Sequence, residues 1–396
     1  MTLALYGGFP TRKEFLQYAK QYIDDNDLQA VNEVLKSDYL TTGPKVKEFE
    51  DKIANYVNAK YAVAFSNGTA ALHGACYAAD IGIGDEVITT PITFAASANC
   101  ALYMGGTPMF ADIDKDNFNI DVNEIKKKIT AKTKAIIPVD YTGQAVDIDR
   151  IKELIKGTDI VIIEDGAHSF GTKYKSVPVG GLADMTMFSF HPVKTITTGE
   201  GGVITTNNEK YFRRLVNFRS HCIIRNPDQL ISNNISGWYY EQQDLGFNYR
   251  MTDFQAALGI SQLDKLEWFI DRRKEIVKRY NQAFKEIDGI VLHKNEEYSD
   301  TVNHLYVIKL DLSKLKVDRN EIYNALIAEN IGVNVHYIPV YLHPYYQKLG
   351  YKKGLCPKAE ELYDTIITIP LFPAMTDEDV EDVINGVNKV INYFRK

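Results

Sequence analysis

IVIIEDGAHSFG (160–171) is an unbroken apolar run that stops abruptly at two carboxylates, Glu164 and Asp165, and then turns through small residues. A strand half exposed to water would alternate polar and apolar residues, so a continuous run predicts a strand covered by helices on both faces. Working outward, short β-rich apolar runs, several of them continuous, recur in YAVAFS (61–66), EVITTP (86–91), TPMFADI (107–113), KAIIPVDY (134–141), MTMFSF (185–190) and GVITTN (202–207). Helical patterns lie between them, as in GTAALHGACYAAD (68–80), NEIKKKI (123–129) and DIDRIKELIKG (147–157). Strands alternating with helices predict an α/β fold with a mostly parallel central sheet. In such a sheet, ligands are expected at the polar strand ends rather than along their middles.

The pattern changes after about residue 250. MTDFQAALGISQLDKLEWFIDRRKEIVKRYNQAFKEI (251–287) is a long helical stretch with at most one break. It is followed by a strand-like HLYVIKLDL (304–312), a helix over 318–331, and a final helix from about Thr376, a residue suited to an N-cap with acidic residues in the turn after it. These features predict a large domain over 1–255 and a smaller C-terminal α/β domain over 256–396. The 396 residues are 45% hydrophobic and 24% charged with a net charge of −7, a soluble composition without a Lys/Arg-rich run. Neither nucleic acid nor an anionic membrane is therefore expected as a partner. Cys76, Cys100, Cys222 and Cys356 are widely spaced, which argues against a disulfide framework or a zinc site. The opening residues lack a signal-peptide pattern, and a cytoplasmic location is expected.

Three places carry chemistry. SNGTAALH (66–73) ends a strand and opens a helix at Gly68-Thr69, where free backbone N–H groups suit a phosphate; a simple helix cap is the alternative. Asp165 stands at a strand end, where a carboxylate can face a protonated ring nitrogen. Opposite charges ~4 Å apart attract by roughly 4 kcal/mol at an effective dielectric of ~20. A plain turn cap is the other reading of Asp165, as a satisfied edge histidine is of His168. In FSFHPVKTITTGEGGVITT (188–206), Lys194 follows a strand amid hydroxyls and glycines, flanked by Ser189 and His191. A lysine is usually a solvated surface charge, but one desolvated near a sheet core becomes a carbonyl nucleophile.

A phosphate cradle, a carboxylate and a nucleophilic lysine, in that order, are what pyridoxal 5′-phosphate (PLP) requires for its phosphate, ring nitrogen and aldehyde. With TTGPKVKEFE (41–50), TTPITFAASAN (89–99), PVDYTGQAVDI (138–148), GFNYRMTDFQAALGISQLDKL (246–266) and NVHYIPVYLHP (334–344), these motifs span nearly the whole chain. The sequence resembles the DegT–StrS-type nucleotide-sugar aminotransferases among the fold-type I PLP-dependent transferases. Within them it is most similar to the branch acting on UDP-linked 4-keto-6-deoxy amino sugars in pseudaminic-acid pathways, which serve cell-surface polysaccharide or flagellin glycosylation.

That resemblance implies Lys194 as the catalytic lysine that carries PLP and Asp165 as the partner of its ring nitrogen. His168 would lie near the ring oxygen and Phe94 stacked on the ring, with Gly68, Thr69 and Ser189 on the phosphate. Asn248 would reach the phosphate of a neighbouring subunit, making the expected unit a homodimer with shared active sites. Arg250 near that interface, and His336, Tyr337, Tyr341 and His343 on the substrate side, complete the implied set. An ion pair for Arg250 and core packing for the aromatic stretch are the other readings. The implied reaction is a two-stage transfer from glutamate to C4 of a nucleotide-linked keto-sugar, with bacillosamine-type UDP, GDP or dTDP sugars as alternatives. A dehydratase of the same fold would carry histidine where Lys194 stands. A non-catalytic regulator would not need the intact set, and a dinucleotide-binding oxidoreductase would show Gly-x-Gly-x-x-Gly after a first strand.

Overall fold

The computed structural model describes residues 2–232 and 236–396. Its main sheet has seven strands in the order Tyr61–Phe65, Gly202–Thr206, Met185–Ser189, Val161–Asp165, Thr133–Ile137, Glu86–Thr89, Thr107–Phe110. Only Gly202–Thr206 runs antiparallel to its neighbours; the remaining pairs are parallel. The expected mostly parallel sheet is thus present, and each apolar run forms one of its strands.

Helices cover both faces, which is why the runs lack alternation. Gly68–Ala78 is buried along nearly its whole length, a consequence of its Ala-rich sequence; Asn67 caps it by accepting the Ala70 N–H at 2.8 Å. The long helical stretch, expected with at most one break, has that break and forms two helices, Asp253–Leu263 and Leu266–Phe284. The first packs against Asp25–Leu35 and Pro44–Tyr56, so a boundary at 255/256 falls inside it. The second joins two cores: Leu266, Phe269 and Ile270 belong to the larger, Ile276, Val277, Tyr280 and Phe284 to the smaller.

The smaller unit pairs Ile290–Leu292, Tyr306–Leu310 and Ile366–Ile369 in an antiparallel sheet. Asp377–Phe394 packs on this unit and starts, as expected, at Thr376, whose side chain and that of Asp379 cap each other's backbone N–H. Val383, Val387, Val390 and Ile391 form its buried stripe, each worth about 1.5–3 kcal/mol of burial. The chain also begins on this unit: Leu3 and Leu16 enter its core, and the buried Glu329 carboxylate accepts the backbone N–H groups of Ala4 (2.9 Å) and Thr11 (2.8 Å).

Candidate active site

The strand Val161–Asp165 delivers Asp165 to the floor of a cavity of about 830 Å³. Asp165 is only 4% exposed and accepts hydrogen bonds from Ser97 Oγ at 2.6 Å and the Ala167 N–H at 3.1 Å. Burial pushes its carboxyl pKa up, while those two bonds and the Lys194 charge pull it down. Lys194 sits in the connection between Met185–Ser189 and Gly202–Thr206 and lines the same cavity. That connection is tied down by its threonines: Thr197 Oγ1 donates to the Phe190 carbonyl at 3.1 Å, and Thr198 Oγ1 to the Glu200 carbonyl at 2.8 Å. Desolvation lowers the Lys194 ammonium to about 8, against the opposing pull of Asp165.

The helix Gly68–Ala78 points its N-terminus at the cavity, where Asn67, Gly68, Thr69 and Ser189 are wall residues. A side chain at residue 68 would place its Cβ 3.3 Å from the Ser189 Cβ and 3.4 Å from its Oγ. At Gly202 a Cβ would lie 2.5 Å from the Asn67 carbonyl oxygen, so the glycine lets that strand pass against the helix start. Phe94 stands at the wall, 64% exposed.

The opposite wall comes from the smaller unit and the N-terminal segment. His304, His336 and Tyr337 line it together with Tyr18. His168 Nε2 is 3.0 Å from the Tyr337 hydroxyl, and His336 Nδ1 is 2.9 Å from Thr368 Oγ1. Burial, with Lys194 nearby, depresses His336 to about 4 and holds His168 well below the ordinary imidazole range.

The structure therefore brings Gly68, Thr69, Phe94, Asp165, His168, Ser189, Lys194, His336 and Tyr337 to one cavity. It does not bring Asn248, Arg250, Tyr341 or His343 to that wall. Asn248 is exposed on the surface, and Arg250 is partly buried with its Nε unpartnered among the described residues. Tyr341 is fully buried against Phe110, and its hydroxyl donates to Glu360 Oε1 at 2.7 Å. His343 opens the short helix Pro344–Lys348. Tyr18, Asn67, Ser97, Tyr249 and His304 line the cavity without having been singled out in the sequence. Ser97 lies within TTPITFAASAN, and its spacing of three from Phe94 was the signal available for it.

These residues fit PLP. The glycine-tight helix start beside Ser189 provides N–H and hydroxyl donors for a phosphate; among the described residues, the buried Asp165 carboxylate has no guanidinium partner and the buried His168 Nδ1 has no hydrogen-bond partner. Fold and cavity are those of a fold-type I PLP-dependent enzyme. The model of the DegT/DnrJ/EryC1/StrS aminotransferase family matches residues 21–388, and the chain belongs to that family. It is 42% identical over 96% of its length to the spore coat polysaccharide biosynthesis protein SpsC of Bacillus subtilis, covering 98% of that protein. It is 35% identical over 96% of its length to the UDP-4-amino-4,6-dideoxy-N-acetyl-beta-L-altrosamine transaminase of Campylobacter jejuni, covering 99% of it. The solved structure of Helicobacter pylori PseC, an aminotransferase of pseudoaminic acid biosynthesis, superposes with a TM-score of 0.89 at 33% identity, covering 96% of this chain and 100% of that one. The protein is a PLP-dependent sugar aminotransferase.

Proposed function

We propose that the enzyme moves an amino group from glutamate to C4 of a UDP-linked 4-keto-6-deoxy-N-acetylhexosamine, as in pseudaminic-acid type pathways. The observation that carries this substrate class is the 35% identity, over 96% of the chain, to a transaminase whose name specifies a UDP-4-amino-4,6-dideoxy-N-acetyl sugar. When bound, PLP supplies a conjugated ring that takes up the electron pair released at the substrate carbon. Asp165 would hold the proton on the ring nitrogen, and Gly68, Thr69 and Ser189 would bind the phosphate. Phe94 and His168, which line the same cavity, would hold the ring. Lys194 Nζ would hold the cofactor and would be the group placed to move the proton at the reacting carbon, its desolvation lowering the free amine to about 8. His336 and Tyr337 face the sugar.

Sugar stereochemistry is read by a few hydrogen bonds, so the test is a panel. With glutamate as donor, kcat/KM should be highest for one of the two C5-epimeric UDP-4-keto sugars, at least tenfold above GDP-4-keto-6-deoxymannose and dTDP-4-keto-6-deoxyglucose. Preference for the GDP or dTDP compound would overturn the substrate class and leave the aminotransferase standing. The higher identity to SpsC keeps another nucleotide-linked keto-sugar as the second reading.

The proposed working unit is a homodimer with shared sites. Asn248 supports this: it is exposed in a single chain, pairs with Ser220 through its backbone, and is not among the residues lining this chain's own cavity. Arg250, two residues further on, belongs to the same proposed junction. Mixing Lys194→Ala subunits with Asn248→Ala subunits should restore activity in heterodimers, since one of the two sites then has both residues intact. A fully active monomer at assay concentration would sink the shared-site reading. A cytoplasmic location belongs to the same proposal: all four cysteines are unpaired and buried, which suits a reducing compartment. Among the described residues no helix is long and apolar enough to cross a membrane.

A further inference from the structure

We propose that Tyr337 and His304, both outside the large domain's strand ends, are positioning residues that together fix the His168 ring in the cavity wall. Tyr337 does so through its hydroxyl, 3.0 Å from His168 Nε2. His304 does so by packing, its ring centroid 4.6 Å from that of His168 at an interplanar angle of 39°. All three residues line the cavity, and His168 and His304 are 5% and 3% exposed. The inference rests on the reading of His168 as a cofactor-side residue.

His304 is itself held from two directions. Its backbone N–H donates to the Thr142 carbonyl at 2.8 Å, and its carbonyl accepts from Arg273 Nη1 at 3.2 Å. Arg273 is 1% exposed and spends a second bond of 3.0 Å from the same nitrogen on the Leu371 carbonyl. Gly143 sits where the His168 and His304 backbones meet. Its φ is +104°, and a Cβ there would lie 2.9 Å from the His168 carbonyl oxygen and 3.1 Å from the His304 nitrogen. Only glycine tolerates both the conformation and the approach. On the other side, the Tyr141 hydroxyl donates to the His336 carbonyl, tethering the residue that precedes Tyr337.

The charges around the pair point one way. Lys194 and His336 face His168; His168, Lys194, Arg273 and His336 face His304. Burial first, and the Lys194 and Arg273 charges second, keep both imidazoles uncharged, Arg273 acting on His304 alone. The Tyr337 phenol is pushed upward by burial and by Asp165, so it keeps its proton. A neutral His168 retains one bare ring nitrogen and one N–H. The Tyr337 hydroxyl can donate to a bare Nε2 or accept from an Nε2–H, so the bond serves either tautomer, and the fixed ring is expected to keep one of them.

The test uses PLP-free, ¹⁵N-histidine-labelled protein, with His168 and His304 assigned among the eight histidines by His168→Asn and His304→Asn. In the wild type, both rings should stay uncharged through the ordinary imidazole range near pH 6.5, with one His168 tautomer dominant. Tyr337→Phe should shift the His168 ring nitrogens and mix the tautomers. His304→Ala should broaden the His168 signals, while His304→Phe, which keeps a ring in the wall, should preserve them. PLP retention, followed by fluorescence titration, should fall about five- to tenfold in Tyr337→Phe and His304→Ala. Unchanged His168 signals in both variants, or a wild-type His168 that protonates near pH 6.5, would overturn the proposal. Displaced signals with undiminished PLP retention would uphold the positioning unit and remove His168 from the cofactor instead.

Discussion

Replacing Lys194 with alanine is expected to lower kcat by at least about 10⁴-fold, because in the proposed function one side chain serves both as cofactor anchor and as proton carrier. Its surroundings suit both roles. Its ammonium is desolvated to about 8, with Asp165 the opposing charge. Wild-type protein purified with PLP should be yellow, and borohydride should attach pyridoxyl to the peptide containing Lys194. Label on another lysine would contradict the assignment. Capture of PLP by the PLP-free protein should rise about tenfold per pH unit below pH 8 and level off above it, as the free amine becomes the major form. The sign of the stability effect follows from the same shift. A lysine whose folded pKa lies below its unfolded value of about 10.4 leaves the unfolded chain binding more protons between about pH 8 and 10, so stability rises with pH there. Lys194→Ala removes that dependence and should not lower the melting temperature of the PLP-free protein at pH 7. A variant that melts several degrees lower would mean that Lys194 is chiefly a packing residue.

Much of this site was legible because its parts stand at punctuated ends of apolar runs. Val161–Asp165 could be read to its last residue, since an unbroken run ends in carboxylates where the sheet meets solvent. Lys194 was legible for a related reason: a lysine between two buried strands, among threonines and glycines, has no charged helix face to occupy. Tyr18 and His304 gave no such signal. Tyr18 reaches the cavity only because the N-terminal segment docks on the smaller unit, with Leu16 bridging to Ile331. His304 precedes a run that reads as an ordinary core strand, and its neighbour His168 lies 136 positions earlier, so nothing local joins them. NVHYIPVYLHP shows the limit within one motif. His336 and Tyr337 face the cavity, but the tight turn Val340–Leu342 carries Tyr341 into the core against Phe110. Composition alone cannot distinguish aromatic residues that line a site from those that fill a core.

Asp165→Asn should separate catalysis from stability more sharply than any other substitution here. An attraction of roughly 4 kcal/mol between a buried carboxylate and a protonated ring nitrogen about 4 Å away corresponds to about a thousandfold in rate if it is lost in the transition state. The asparagine amide is nearly the same shape and can still accept from the Ala167 N–H, as Asp165 Oδ1 does at 3.1 Å. Ser97, whose hydroxyl also lies 2.7 Å from that of Thr93, can turn to accept from the amide. The fold should therefore survive. In the PLP-free protein, burial raises the Asp165 pKa above its ordinary value. A carboxyl group so raised costs stability once the pH passes its unfolded value of about 3.9, and that cost grows until the pH reaches the folded value. Removing the charge should leave the melting temperature at pH 7 unchanged or higher, while kcat falls about 10³-fold and PLP is held less tightly. A near-normal rate would reduce Asp165 to a turn cap. A strongly lowered melting temperature with PLP absent would show that its carboxylate serves the fold rather than the cofactor.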